Sequence, residues 1–280
     1  MILIVAAFIV LVGAAVSARR SSSRRVVRAR EGRPTQNWIE AMRAEHAAIV
    51  DRRERRHFAW GCVRALLFGA MPADRVGGAM RSAVTLLIAG AGGLVTVGLL
   101  RYPGLRSGWW LAYVAVFVAL LIGYGVVGRF LAACGTPRAR LLGMAAAFPA
   151  VGLAAFAGLS DGGVSAGLPL LIFVLPALAA WAATRDGGRA AIGVVAGASC
   201  AVTAGLLAFL TFVSLTYARN GGSPTPALLA DFRRSGLHDY ATWAVGDNLG
   251  GAVFLLGMTL VVGTVAGTLV ATLRGTGQRG

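Results

Sequence analysis

Long apolar stretches separated by arginines constrain this chain more than any other feature. Residues 82–100, 109–128, 141–159, 165–184, 190–217 and 250–273 each run without an Asp, Glu, His, Lys or Arg. A hydrocarbon core about 30 Å thick takes about 20 helical residues at about 1.5 Å each. Each stretch therefore has the length of a crossing, and only a helix satisfies its own backbone there. Met1–Ala18 is a seventh apolar run. The expectation is an all-α polytopic transmembrane bundle of about seven spans.

Composition agrees. Hydrophobic residues make up 57% of the chain, charged residues 14%, and mean hydropathy is +0.72. A soluble domain carries about 25% charged residues.

Arginine placement orients the bundle. Between Arg19 and Arg81 lie fifteen arginines against six acidic residues. Such a segment stays cytoplasmic and sets the direction of every later helix. Alternate connections then place twenty-two arginines inside and five outside. The N-terminus is expected outside and the C-terminus inside, in a bacterial cytoplasmic (inner) membrane. The +16 net charge would suit nucleic acid in a soluble protein. Here the arginines flank apolar runs, so they point to topology and anionic headgroups, and no nucleic-acid partner is expected.

Three regions follow. Residues 1–18 form an N-terminal anchor. Val16-Ser17-Ala18 resembles a cleavage site, but no basic residue precedes the apolar run and Arg19-Arg20 follow directly, so the anchor is expected to be retained. Residues 19–81 form a basic cytoplasmic region. In it the Arg/Ser-rich stretch to Pro34 reads as a linker, Thr35 to Trp60 as an amphipathic helix, and 57–71 as an interfacial segment anchored by Trp60 and Phe68. Arg19, Arg20, Arg24, Arg25, Arg28, Arg30 and Trp38 are the candidates for docking anionic lipid or a protein partner. Residues 82–280 form a six-helix bundle with an external loop at 218–249.

Small residues at four-residue spacing, Gly193/Gly197 and Gly263/Gly267, with Gly250, Gly257 and Thr264 on another strip, predict close helix packing within the chain. Pro149, Pro169 and Pro176 predict bends in the fourth and fifth spans. Trp109, Trp110, Trp181, Tyr240 and Trp243 fall where interfacial belts are expected.

The spans lack the buried ionisable groups of proton relays and ion-coupled transporters. Histidine occurs at 46, 57 and 238, outside every span, and no HExxH occurs. Ser199 and Ser214 have no histidine base on a neighbouring span. Cys62 and Cys134 fall on the inner side and Cys200 in a span, so no disulfide is expected. No spacing suggests a metal or cofactor site.

The external loop holds the one polar constellation. Thr225, Pro226 and Gly236 predict a capped short helix. Its apolar side is Leu228, Leu229 and Phe232, with Arg233-Arg234 at its end, and it is expected to lie along the membrane surface. A second helix is expected to start near His238 and enter the last span, with Tyr240, Trp243 and Asp247 on one face. His238, Asp239 and Asp247 are weak catalytic candidates as base and acceptors, with Arg233 or Arg234 as an anion clamp. The competing expectation is of exposed carboxylates near a helix start, neutralised by Arg101, Arg106 or Arg219.

The sequence favours a non-catalytic integral membrane protein, a scaffold or accessory subunit that docks a cytoplasmic partner or anionic lipid through residues 19–81. Two alternatives stay open. One is a subunit of a solute or lipid transporter without intramembrane ionisable residues. The other is a membrane enzyme using the outward His/Asp group.

Overall fold

The computed structural model describes residues 75–106, 110–159, 167–185 and 190–277, with seven scattered positions between 45 and 58. The expected anchor 1–18, the basic linker with Arg19, Arg20, Arg24, Arg25, Arg28, Arg30 and Trp38, and the interfacial segment beyond Phe58 lie outside the described residues.

The described residues are all-α. The helices are α1 (Arg75–Arg101), α2 (Trp110–Ala133), α3 (Pro137–Ala146), α4 (Pro149–Leu159), α5 (Gly167–Thr184), α6 (Ala190–Ala218), α7 (Pro226–Ser235) and α8 (Tyr240–Gly277). Five stretches are long and apolar enough to cross a bilayer: Arg75–Arg101, Trp110–Ala133, Pro137–Leu159, Ala190–Ala218 and Tyr240–Leu273. The chain is a multi-pass integral membrane protein.

Several boundaries differ from expectation. α1 begins at Arg75 rather than Ser82, and α2 runs past Arg129 to Ala133. The inner connection expected over Arg129–Arg140 shrinks to Cys134–Thr136. Arginine's long stem lets its head leave the membrane from inside a terminal turn, so charged residues need not sit in loops. Local chemistry also starts α3 early: Thr136 caps it, accepting from the Ala139 N–H at 3.3 Å, and Pro137 opens it. The amphipathic helix expected from Thr35 to Trp60 is interrupted, because Ile49 and Asp51 are not helical. Asp51 instead accepts the Arg53 N–H at 3.0 Å, a local bond that competes with helix continuation.

Pro149 separates α3 from α4. With no N–H at Pro149, the chain tightens into three-residue bonds: Ala147 and Phe148 donate to Met144 and Ala145 at 3.2 and 3.3 Å. Pro176 lies inside α5. It fits a notch of small residues, within about 3.2 Å of where a Cβ on Gly263 would stand, with its carbonyl 3.1 Å from one on Gly197.

α6 is the hub. Of its most apolar eighteen residues 89% are buried, against 17% for α2, so the other crossings pack around α6 while α2 lies at the rim. A helix enclosed on all sides needs small residues for its neighbours to approach. Glycine contacts fix the directions. Gly90 and Gly98 of α1 meet Leu210 and Tyr217 of α6, so these two run parallel. Gly92 and Gly128 show α1 antiparallel to α2, through Leu121 and Val84. Gly143 and Gly158 place α3 and α4 parallel to α6, whereas Gly193 and Gly197 place α5 antiparallel to it. In chain order α1, α2, the α3–α4 pair, α5, α6 and α8 therefore alternate in direction, α8 running antiparallel to α6 through Gly263 and Gly267. One end of the bundle carries Arg140 and the starts of α1, α3 and α6; the other carries Asn220 and the start of α8.

Outward faces are apolar. Leu86, Ile122, Phe156, Phe254 and Leu273 are exposed, a pattern costly in water and suited to lipid. Trp181 is also exposed, with the Arg185 guanidinium 5.6 Å from its ring centre. Trp110 and Trp243 depart from their expected role as interfacial anchors: both are buried. Trp110 fills the space left by Gly246, and Trp243 packs beside Phe232 and Tyr240.

Candidate functional site

The polar constellation expected in residues 218–249 gathers at the Asn220 end, where α1 and α6 finish and α7 and α8 begin. Asn220 adopts a left-handed conformation (φ 48°), followed by Gly221 and Gly222 at 87° and 92°. Asparagine and glycine tolerate this region, and it turns the chain back over the bundle. A Cβ on Gly221 would collide with Ala244 of α8. The Asn220 Oδ1 accepts from Arg101 Nη2 at 2.8 Å and from the Tyr102 hydroxyl at 3.2 Å, joining the ends of α1 and α6.

α7 forms as its caps predict. Thr225 accepts from the Leu228 N–H at 3.3 Å, Pro226 takes the first position, and Gly236 is left-handed at φ 71°. None of its residues is buried. Phe232 holds it to α8, edge-on to Tyr240 at 5.6 Å and 6.0 Å from Trp243. Arg234 pairs with Asp231 within α7, while Arg233 is exposed.

Asp239 is the N-cap of α8. Its carboxylate accepts from the Ala241 N–H at 3.2 Å, the Thr242 N–H at 3.0 Å and the Thr242 hydroxyl, while its carbonyl accepts the Trp243 N–H at 3.1 Å. The Thr242 hydroxyl bond, with the two backbone bonds, holds this carboxyl below its ordinary range. A carboxylate occupied in this way is a poor proton acceptor. His238 is exposed one residue before it and shares no hydrogen bond with Asp239 or Asp247. Asp247 faces outward from α8, whereas Trp243, expected on the same face, points inward. Among the described residues no three His, Cys, Asp or Glu side chains gather as metal ligands would.

Arginines at the helix ends bond to backbone carbonyls. Arg106 donates through Nε to Leu99 O at 2.6 Å and through Nη2 to Leu100 O at 3.4 Å, at the end of α1. Arg219 donates to Gly158 and Leu159 at 3.0 and 2.9 Å, at the end of α4. At the opposite end Arg140 is 2% exposed. It donates through Nη1 to Ala132 O at 2.6 Å and through Nη2 to Gly135 O at 3.1 Å, closing α2. Final helical carbonyls lack intrahelical partners and carry partial negative charge, which a guanidinium satisfies in pairs. Sequence reasoning offered Arg101, Arg106 and Arg219 as partners for carboxylates. Instead Arg106 and Arg219 bond to carbonyls and Arg101 to an amide oxygen. Nothing local in the sequence marks the partners of Arg101 and Arg219, which lie 119 and 61 residues away.

The interior is tight. A cavity lined by Ala154, Gly205, Phe209, Ala252 and Thr259 holds about 10 Å³, room for one water at most. Cys200 is fully buried beside Ala147 and Ala150. The Tyr124 hydroxyl, in the space left by Gly205, donates to Leu256 O at 2.8 Å.

Comparison of the chain with protein-family models, with curated proteins and with solved structures finds no match.

Proposed function

We propose that this chain is a non-catalytic membrane scaffold or accessory subunit that docks a cytoplasmic partner or anionic lipid through residues 19–81. The observation that carries this reading is how the described polar groups are used. Asp239 caps a helix, and Arg106, Arg140 and Arg219 hold helix ends. Asn220 bonds Arg101 and Tyr102. Fifteen of the chain's twenty-seven arginines lie in residues 19–81.

In this reading the bundle is an anchor with seven crossings, its N-terminus outside and C-terminus inside a bacterial cytoplasmic membrane. The alternation of helix directions supports that arrangement, because it collects the ends of α2, α5 and α8 on the side where the arginine bias is strongest. The tight fit of Pro176 among Gly197, Gly263 and Gly267 favours a packed bundle over a transport path lined by prolines.

The test is deletion of residues 35–56 from the full-length protein, followed by cross-linking and purification from native membranes. The reading predicts that the bundle inserts normally and that one reproducible cross-linked protein or anionic lipid is lost. An unchanged set of cross-linked species would overturn it.

A further inference from the structure

At the Asn220 end a crevice runs between α1, α2 and α8, walled by Val95 and Leu99, by Trp110, Tyr113 and Phe117, and by Gly250. It exists because Gly250 brings no side chain: the nearest atoms to a Cβ there would be those of the Tyr113 ring, 3.4 Å away. The lining is wholly apolar, and only about 10 Å³ is enclosed, room for one water at most, which would find no polar partners. The remainder opens sideways past Leu99, Tyr113 and Val114, all partly exposed. Beside it α2 presents Leu111, Val118 and Ile122 outward, so the slot is continuous with the lipid-facing band. Left empty, its walls would forfeit dispersion contacts on one side.

Arg106 stands at the mouth. Leu99, a wall of the slot, also supplies the carbonyl that receives Arg106 Nε. Nη2 reaches Leu100 O, and Nη1 donates to no acceptor among the described residues. The side chain is exposed. An apolar slot beneath an exposed, pre-oriented guanidinium matches the two halves of a phospholipid. We propose that this is a binding site for one glycerophospholipid, with an acyl chain in the crevice and the phosphate on Arg106. It is independent of the docking assigned to residues 19–81, and cross-linking of the 35–56 deletion does not report on it.

The test is native mass spectrometry of the full-length protein in mild detergent, titrated with phosphatidylglycerol. The wild type is expected to retain one lipid. Gly250→Leu, which fills the slot, should abolish retention; Val114→Phe, filling it from α2, makes the same test should the glycine variant fail to fold. Arg106→Gln, which keeps a donor for the carbonyls and removes the charge, should weaken retention about tenfold, as the loss of one charge-assisted contact implies. Glycerol 3-phosphate should not bind. Equal retention by the wild type and both filled variants, no retention by the wild type, unaltered retention by Arg106→Gln, or binding of glycerol 3-phosphate would each overturn the proposal.

Discussion

Gly197 of α6 and Gly267 of α8 meet backbone to backbone: a Cβ on Gly197 would stand 2.9 Å from the Gly267 Cα, and one on Gly267 3.0 Å from the Gly197 Cα. The contact repeats every fourth residue in antiparallel order. Gly193 faces Ala271, Ala201 faces Gly263, and Gly205 faces Thr259. Two small-residue strips are therefore mated along about three helical turns, and each is consumed by the other within one chain. Lipid tails are as apolar as leucine, so the gain lies in van der Waals packing that only small side chains permit.

Gly197→Leu and Gly267→Leu are expected to destabilise the bundle by about 1–3 kcal/mol each, read as a lowered thermal midpoint in detergent. Gly251→Leu, on the open side of α8 where a Cβ meets nothing within 4 Å, should change stability by less than about 0.5 kcal/mol. Equal effects of the three would contradict the mated-strip geometry.

Arg140→Ala leaves the Ala132 and Gly135 carbonyls without their guanidinium donors at 2.6 and 3.1 Å. The expected cost is about 2–3 kcal/mol. Arg140→Lys should recover only part, because an ammonium on a flexible stem cannot reproduce the two-armed fork. Denaturant unfolding of the two variants checks the order.

Asp239 makes a pH-dependent contribution whose sign follows from its lowered pKa. The folded state holds the carboxylate more firmly than the unfolded chain does. The added stability is therefore present above the ordinary carboxylate value of 3.8 and is lost as pH falls through the lower folded value. Asp239→Asn should lower the thermal midpoint at neutral pH, and the gap to wild type should close on acidification towards pH 3. Asp239→Ala should cost about 1 kcal/mol as a lost N-cap. The pH-dependent part stays small because the side chain is exposed.

Membrane sidedness is testable with reporter fusions. Fusions after Gly222 are expected to report the outside and fusions after Pro34 the inside. Reversal of either would discard the orientation assigned from arginine placement.

Cysteines introduced near the two prolines test for a hydrated path. In a chain with Cys62, Cys134 and Cys200 replaced by alanine, Ala150→Cys and Ala180→Cys should resist water-soluble thiol reagents, since both positions are 0% exposed. Ser223→Cys, in the exposed turn, should react. Rapid labelling at Ala150 or Ala180 would favour the transporter alternative.

By itself the sequence determined what short-range chemistry can decide. The apolar runs set α1, α2, α5 and α6 to within about two turns, because crossing length depends only on local hydrophobicity. Thr225, Pro226 and Gly236 bounded α7, because a cap is written within one turn. Tertiary structure alone decided which groups met. It paired Gly197 with Gly267, drew Trp110 and Trp243 inward, and bound Arg219 to the carbonyls that end α4. Helix formation is governed by neighbours three and four residues away, whereas the partner of a glycine notch or a guanidinium is chosen by how whole helices stack, and residues far apart along the chain carry no local mark of that choice.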